Sequence, residues 1–400
     1  MPILNIIVYA TQIWRIIEMM IYMDNGATTK MRREVVEAML PFMTSEYGNP
    51  SANYEFAGRA KKAIEKARQD IAGTINCEPE EIYFTSGGTE SDNWAIKAKG
   101  LPHGKSRNKR HVITSAIEHH AVINACHYIE QQGASVSYIK TNSTGVVDLI
   151  ELEDVIRPET SLISVMAANN EIGTIEPVKK IGEIAREHNI PFHTDAVQAY
   201  TNIELDMRTL PVDFLSVSAH KINGPKGVGF LYVRNGCELI PFMDGGAQEK
   251  GRRAGTENVS GIVGLAKAAM IANNNMKQRV SRECKIRDYM ISRIQKEIPY
   301  AKLNGHQKNR LPNNINFSFG YVDGGTLIAM LDQQNICASS GSACTSASKA
   351  PSHVLKAIGL SDEMANSAVR FTINENITMN EADYVINCLK SNVKKLQSAY

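Results

Sequence analysis

The sequence has no excess of charge of either sign, because its 400 residues hold 44 lysines and arginines against 42 aspartates and glutamates. This balance excludes a strongly acidic, solvated protein and gives no reason to expect binding to nucleic acid or anionic lipid. Hydrophobic residues make up 43% and charged residues 22%, as in ordinary globular proteins. The length suggests about two or three domains that fold without disulfide bonds.

Paired cysteines are also missing. The seven cysteines are scattered, none forms a C-x-x-C pair, and their number is odd. A disulfide framework of the secreted kind is therefore not expected, and a reducing, cytoplasmic environment fits better. One cysteine could serve a site, whereas the other six are expected to be small core or surface residues.

Even the apolar N-terminus, MPILNIIVYATQIWRIIEMM, lacks a long uninterrupted hydrophobic run. Arg15 and Glu18 interrupt it before the roughly 20 residues that a membrane span needs. It also lacks the basic start and small-residue cleavage site of a signal peptide. We expect a short strand with an amphipathic turn, or a disordered lead, and no contact with a membrane. A membrane anchor and a later translation start at Met19, Met20 or Met23 stay open as alternatives.

Strand-like and helical stretches alternate through the middle of the chain. Apolar runs such as EIYFT (81–85), HVITSAI (111–117), IPFHTDA (190–196) and VDFLSVSA (212–219) are separated by helical or turn segments. This alternation predicts an α/β fold with a mostly parallel sheet, helices on both faces and strands buried on both sides. From about Gly261 the pattern changes to long helices and short strands, which predicts a second, smaller α+β domain.

A glycine-rich turn, from Thr85 to Ser91, lies between a strand-like run and a helical one. Glycines let a ligand approach the backbone, and the start of the helix offers free N–H groups to a phosphate. Thr89 and Ser91 are also plausible helix caps, so an ordinary capped turn is the alternative.

Lys221 and Asp195 each follow a strand-like run. A lysine there can lie in a dry cleft and react as a neutral amine, although an isolated lysine is usually a surface residue. A carboxylate at the carboxyl end of a strand points into the crevice where such folds bind ligands. A phosphate loop, a reactive lysine and an aspartate that protonates a ring nitrogen together indicate pyridoxal phosphate.

Two further residues could carry chemistry. His119 ends the run HVITSAIE and could stack on a ring or bind a metal, but no other ligands follow at zinc spacing. Cys344 lies in the small, polar stretch SSGSACTSAS, where an accessible thiol could act as a nucleophile. A structural histidine and an unreactive loop thiol are the alternatives.

The chain from about Tyr22 onward resembles the cysteine desulfurases of the NifS/IscS type, which are fold-type I pyridoxal phosphate enzymes among the class V aminotransferases. Ten ordered motifs carry this resemblance, and so many in order are very specific. They are YMDNGATT (22–29), EYGNPS (46–51), YFTSGGTESDN (83–93), AIEHHAV (116–122), NNEIG (169–173), HTDAVQ (193–198), SAHKINGPKGVG (218–229), RRAGTEN (252–258), SSGSACTS (339–346) and VRFTIN (369–374).

The resemblance implies a role for each matching residue. Three residues would act in catalysis: Lys221 as the lysine that binds the cofactor, His119 in ring stacking and proton transfer, and Cys344 as the sulfur carrier. The cofactor would be held by residues that contact its ring or phosphate, namely Gly88, Thr89, His119, Asn170, Asp195, Gln198, Ser218, His220, Lys221 and, from a neighbouring subunit, Thr256. Asn170 and Arg370 would bind the substrate, with Arg370 on its carboxylate.

The same resemblance implies an enzyme that converts L-cysteine to L-alanine and passes the sulfur, as a persulfide on Cys344, to a scaffold or acceptor protein for iron–sulfur cluster assembly. It further implies a homodimer and a seven-stranded, mostly parallel sheet. The predicted divisions are an extension (1–21), a segment joining the small domain (22–40), a large domain (41–262) and a small domain (263–400). No metal site of its own is expected, although Cys344 is a candidate cluster ligand together with a partner.

Two residues depart from the family pattern. Gly26 stands where the family often has Asn or Ala, and Tyr54 where it often has His. Neither coincides with a catalytic role, so we expect activity to be undisturbed. The alternatives are a selenocysteine lyase or another class V transferase and, from a different class of protein, a non-catalytic interaction protein that keeps the fold.

Overall fold

The computed structural model describes residues 20–101, 110–340 and 350–398, which form two compact units. The larger unit holds Thr28–Gln278 and Gly305–Leu311, and the smaller unit holds the described residues up to Ala27, Arg279–Asn304 and residues 312–398. Most of the predicted extension, residues 1–19, lies outside the described part, and the domain boundaries drawn from the sequence stay a prediction. No helix in the described ranges has the length and hydropathy of a membrane span.

A seven-stranded sheet runs through the larger unit in the order β2-β8-β7-β6-β5-β3-β4. The strands β7, β6, β5, β3 and β4 pair in parallel, whereas β8 is antiparallel to both of its neighbours. The mostly parallel sheet predicted from the sequence is therefore confirmed. Its strands are β2 (Ile82–Thr85), β3 (His111–Ser115), β4 (Ser135–Ile139), β5 (Thr160–Ser164), β6 (Phe192–Asp195), β7 (Phe214–Ser218) and β8 (Gly229–Val233).

Successive residues of the central strands enter hydrophobic cores on opposite faces of this sheet, because side chains alternate along a strand. In β3, for example, Val112 and Ile113 belong to different cores, as do Leu162 and Ile163 in β5. The helices α3 and α4 supply one core, and α2, α6 and α8 supply the other. The helices of the larger unit are α1 (Arg33–Thr44), α2 (Glu55–Thr74), α3 (Gly88–Gly100), α4 (His120–Gln131), α5 (Leu149–Asp154), α6 (Val178–Glu187), α7 (Gln248–Gly251) and α8 (Val259–Asn274).

The smaller unit is built on a four-stranded antiparallel sheet in the order β12-β13-β10-β9. Phe317 and Phe371 of this sheet share a core with Leu331 and Leu389 of two helices. A short parallel pair, β1 with β11, adds the first described residues to the unit. Its elements are β1 (Ile21–Tyr22), α9 (Met276–Glu297), β9 (Ala301–Leu303), β10 (Asn314–Phe319), α10 (Gly324–Asp332), β11 (Ile336–Cys337), β12 (Ser339–Ser340), α11 (His353–Ala357), α12 (Asp362–Asn366), β13 (Ala368–Thr372) and α13 (Met379–Gln397).

Candidate functional site

The carboxyl ends of the parallel strands meet at one edge of the seven-stranded sheet, which is where open α/β sheets bind their ligands. Asp195 is the last residue of β6, and Ser218 is the last residue of β7. Lys221 ends the short 3₁₀ turn after β7, and His119 follows β3 at the start of α4. The structure thus brings these four predicted site residues to the same sheet edge.

The predicted phosphate loop joins β2 to α3 and depends on two glycines. Gly87 has a φ of 151° and a ψ of −178°, a backbone conformation that is essentially restricted to glycine. A Cβ on Gly88 would lie 2.5 Å from Val197 Cγ2, and one on Gly87 would lie 3.4 Å from Ser218 Oγ. Both glycines therefore let the start of α3 lie close to the Ser218 hydroxyl. The N–H groups of the helix start and this hydroxyl together suit an anion.

Two other predicted phosphate ligands lie in the larger unit. Thr89 is exposed in the first turn of α3, and His220 Nδ1 lies 3.1 Å from Thr28 Oγ1. Burial, followed by the charges of Lys221 and Lys226, lowers the pKa of His220 to about 4. Its ring is therefore neutral at pH 7 and can donate one N–H.

Thr256, the residue expected to serve a neighbouring subunit, is exposed in the segment after α7. Arg253 holds this segment on the phosphate loop, since its Nε lies 2.8 Å from Glu90 Oε1. Glu90 Oε2 in turn accepts the N–H of Ser86 at 2.8 Å. The ion pair thus links the segment of Thr256 to the loop before α3.

Asp195 is buried, and its Oδ1 accepts the N–H of Val197 at 2.8 Å. Burial and then the Asp92 carboxyl raise the pKa of Asp195 to about 8, although the charge of Lys221 acts in the opposite direction. Such a carboxyl becomes ionised when a cation lies beside it. Gln198, which the sequence places at the same site, is also buried.

A buried polar network behind Asp195 was missed by the sequence reasoning. His193 Nδ1 lies 2.8 Å from Ser164 Oγ, and its Nε2 lies 3.0 Å from Ser216 Oγ and 3.5 Å from Asp92 Oδ1. Burial lowers the pKa of His193 to about 4 and raises that of Asp92 to about 7. Because His193 is neutral, its contact with Asp92 is not an ion pair. The two-residue spacing of His193 and Asp195, which share one face of β6, could have indicated half of this network.

His119 is the N-cap residue of α4, and its Nδ1 accepts the N–H of Ala121 at 3.1 Å. This bond leaves Nε2 to carry the proton of the neutral ring. One ligand atom from each of His119, Asp92 and Asp195 lies within 4.8 Å of the others. The two carboxyls of this group would suit a cation between them.

Glu118, which the sequence reasoning also missed, fixes the loop that carries His119. It is fully buried, and its Oε1 accepts hydrogen bonds from Ser115 Oγ at 2.6 Å and from the Met166 N–H at 2.9 Å. Burial raises the pKa of Glu118 well above its ordinary value. A carboxyl here joins the loop after β3 to the loop after β5.

Asn170, a predicted substrate ligand, lies half-buried in the loop after β5. The preceding residue, Asn169, shapes this loop, because its Nδ2 donates to Ile117 O at 2.8 Å. Its Oδ1 accepts the N–H groups of Glu171 and Ile172 at 2.8 and 2.9 Å. The side chain of Asn169 thus positions the residue that follows it.

Arg370 belongs to the smaller unit, where it lies on β13 and is 1% exposed. One terminal nitrogen of its guanidinium donates to Asp24 Oδ1 at 2.9 Å. Ser339, on β12, is paired with Arg370, and Ser340 is the last described residue before the segment that contains Cys344. Cys344 itself lies in residues 341–349, outside the described residues.

Comparisons with known proteins match nearly the whole chain. The family described as aminotransferase class-V matches residues 21–385. The cysteine desulfurase IscS of Methanosarcina thermophila is 49% identical over 378 residues, which cover 94% of this chain and 93% of the relative. The cysteine desulfurase IscS of Dictyoglomus turgidum is 47% identical and covers 94% of this chain and 95% of its own.

Solved structures give the same picture. A NifS-like protein has a TM-score of 0.88 at 37% identity, with 94% of this chain and 100% of that chain covered. SspA in complex with cysteine has a TM-score of 0.79 at 37% identity, with 89% of this chain and 99% of that chain covered.

Proposed function

Because the chain belongs to the aminotransferase class-V family, we propose that it is a cysteine desulfurase that depends on pyridoxal 5′-phosphate. It converts L-cysteine to L-alanine and carries the sulfur as a persulfide on Cys344, for use in iron–sulfur cluster assembly. The convergence of His119, Asp92 and Asp195 within 4.8 Å, at the sheet edge that presents Lys221, carries this proposal. Relatives named cysteine desulfurase, at 49% and 47% identity, support the reaction.

The donors at the start of α3 fit the phosphate of this cofactor. A Cβ on Gly88 would collide with Val197, so glycine keeps this part of the loop close to the sheet edge. Hydroxyls of Thr89 and Ser218, and the N–H of a neutral His220 ring, would complete the set of phosphate donors. These residues would hold the phosphate, together with Thr256 of the partner subunit.

The acidic end of the site fits the ring of the cofactor. Burial disfavours the charged form of Asp195, and a protonated pyridine nitrogen at its side would favour it. Asp195 would therefore hold the ring nitrogen, and Gln198 would hold the phenolic oxygen. His119 would stack on the ring, and Lys221 would hold the cofactor through its Nζ.

The chain's own residues bind and orient the substrate and move its protons. When bound, pyridoxal phosphate supplies an electron-withdrawing ring that stabilises negative charge at the substrate Cα. Nε2 of His119 holds or moves a proton, since its Nδ1 is occupied by the Ala121 amide. Arg370 and Asn170 bind L-cysteine, with the guanidinium of Arg370 on the carboxylate.

The sulfur leaves the substrate by attack of the Cys344 thiolate. A sulfur–sulfur bond forms and the carbon–sulfur bond breaks, and its electron pair stays with the carbon, which takes up a proton. Cys344 and L-cysteine thus give the Cys344 persulfide and L-alanine, so no external oxidant is needed. The persulfide then passes its sulfur to an acceptor or scaffold protein. We place this reaction in a cytoplasmic homodimer, in which Thr256 of each chain serves the site of the other.

Sulfide release from L-cysteine by the holoenzyme tests the proposal. We expect Cys344→Ala to keep the cofactor's absorbance and to lose turnover by at least about 100-fold, because it lacks the nucleophile. Cys284→Ala, which removes a half-buried thiol on α9, is the matched control and should retain activity. Full activity in Cys344→Ala would remove this thiol from the mechanism, and a wild-type protein that releases no sulfide would refute the desulfurase.

A further inference from the structure

Gly26, one of the two departures from the family pattern, lies directly beside Arg370. A Cβ on Gly26 would lie 3.1 Å from Thr372 Oγ1, 3.2 Å from Thr372 Cγ2 and 3.4 Å from Arg370 Cζ. Gly26 coincides with no predicted catalytic role, but it lies against the residue predicted to bind the substrate carboxylate. The undisturbed activity expected from the sequence stays a prediction. Any side chain here needs its neighbours to give way.

Thr372 has little freedom to move. It is 1% exposed, has a stiff β-branched side chain and pairs with Asn314 at the end of β13. Its N–H donates to Met23 O at 2.6 Å, and its Oγ1 accepts the N–H of Gly26 at 2.7 Å. Asn25 Nδ2 donates to Thr372 O at 2.8 Å. Residues 23–26 are thus bound to Thr372 by hydrogen bonds that hold this segment on the end of β13.

The same segment supplies the anion that holds Arg370. Asp24 Oδ1 lies 2.9 Å from the guanidinium, and the side chain of Arg370 is only 2% exposed. The N–H of Ala27 closes the turn by donating to Asp24 O at 3.0 Å. A Cβ at position 26 would therefore press on Thr372 and lie against the guanidinium. Relief of the contact with Thr372 would shift the turn that carries Asp24.

We infer that Gly26 positions the group that binds the substrate carboxylate, because its missing side chain leaves the space in which Asp24 holds Arg370. This inference rests on the proposed function, in which Arg370 binds the carboxylate of L-cysteine. Recognition of a carboxylate by a planar guanidinium depends on orientation, so a small displacement weakens binding. Gly26 acts through Arg370 and is a positioning residue. Substitution of Gly26 should therefore change KM for L-cysteine more than kcat.

Gly26→Ala tests this inference, with Gly58→Ala as the matched control. A Cβ on Gly58, in α2, meets nothing within 4 Å. We expect Gly26→Ala to raise KM for L-cysteine about fivefold while kcat changes less than about twofold. Calorimetry of L-alanine binding to the holoenzyme should show a similar loss of affinity. Gly58→Ala should change neither value.

The double variant Gly26→Ala with Thr372→Ser is the rescue. Serine keeps the hydroxyl that accepts the Gly26 N–H and removes Cγ2, which would lie 3.2 Å from the new Cβ. We expect it to recover at least half of the lost affinity, and it carries the test if Gly26→Ala alone does not fold. Unchanged KM and L-alanine affinity in Gly26→Ala, or no recovery in the double variant, would overturn the inference.

The calorimetric arm separates this inference from the proposed function. A wild-type holoenzyme that binds L-alanine and releases no sulfide from L-cysteine would refute the desulfurase. The comparison of Gly26→Ala with wild type would still decide whether position 26 controls the carboxylate site.

Discussion

At the candidate site of the larger unit, three buried carboxyls, those of Asp92, Glu118 and Asp195, have pKa values that burial raises above the ordinary range. Among the predicted site residues, the smaller unit contributes a buried cation, the guanidinium of Arg370, and Asp24 lies 2.9 Å from it. The charge of Arg370 is thus balanced within the chain. Burial keeps the carboxyls of the larger unit's site largely protonated despite the charge of Lys221, and a bound cationic ring would favour their charged form.

This difference distinguishes a charge that belongs to the fold from a charge that a ligand completes. Arg370 keeps the same ionic state with or without substrate, because its counter-ion is built into the turn before it. Asp195 would change its state when a cationic ring nitrogen is bound beside it. Neutralising one carboxyl in each unit should therefore have opposite effects on the stability of the cofactor-free protein.

The largest effect is expected from Asp195→Asn. An amide keeps the shape of the side chain and cannot carry the negative charge that stabilises a protonated ring nitrogen. Removing one partner of a buried ion pair costs about 3–5 kcal/mol, so sulfide release should fall by about 10²- to 10⁴-fold. Asp70→Asn, which neutralises a carboxyl in an ion pair on the surface of α2, is the control and should retain activity.

The same variant should stabilise the protein that lacks cofactor. The pKa of an unfolded aspartate is about 3.9, whereas burial raises that of Asp195 to about 8. The folded state therefore binds more protons than the unfolded state between about pH 4 and pH 8, and the free energy of unfolding falls as the pH rises through this window. Asp195→Asn removes this loss, so its thermal midpoint should exceed that of wild type increasingly with pH. A lower midpoint at pH 8 would mean that Asp195 already has a cation within the chain.

Asp24→Asn should give a smaller effect, and one of opposite sign on stability. The substitution leaves the buried guanidinium of Arg370 without the charge of its partner, and a hydrogen bond to a charged group is worth about 1.5–3 kcal/mol. We expect a lower thermal midpoint without cofactor and a KM for L-cysteine raised about tenfold. A variant as stable as wild type would show that the smaller unit does not balance Arg370 through Asp24.

The larger unit's site could be predicted in detail because its residues follow strands. Asp195 and His119 come after apolar runs, and the carboxyl ends of parallel strands share one edge of a sheet. Asp92 could not be found in this way. It lies within a helix, and only the packing of α3 on the sheet buries its carboxyl beside His193.

In the smaller unit, the sequence indicated Arg370 and said nothing of its surroundings. Gly26 and Thr372 are 346 positions apart, in motifs near the two ends of the chain, yet a hydrogen bond of 2.7 Å joins them. Local patterns predict strands and turns, but the pairing of Asp24 with Thr372 is a long-range contact that only the folded chain shows. The sequence alone therefore did not reveal that Gly26 lies beside Thr372 and Arg370.

The smallest effect is expected from Asp92→Asn. Burial raises the pKa of the Asp92 carboxyl to about 7. This carboxyl is surrounded by Ser216, His193, Asp195 and Glu118. When Asp195 is ionised beside it, Asp92 keeps its proton, and asparagine reproduces this neutral form. Sulfide release should fall less than about threefold. Without cofactor, the variant should gain more stability at pH 8 than at pH 5, since wild type loses stability as the pH rises towards 7. A loss of activity as large as that of Asp195→Asn would show that Asp92 carries the charge, and it would reverse the roles of the two carboxyls.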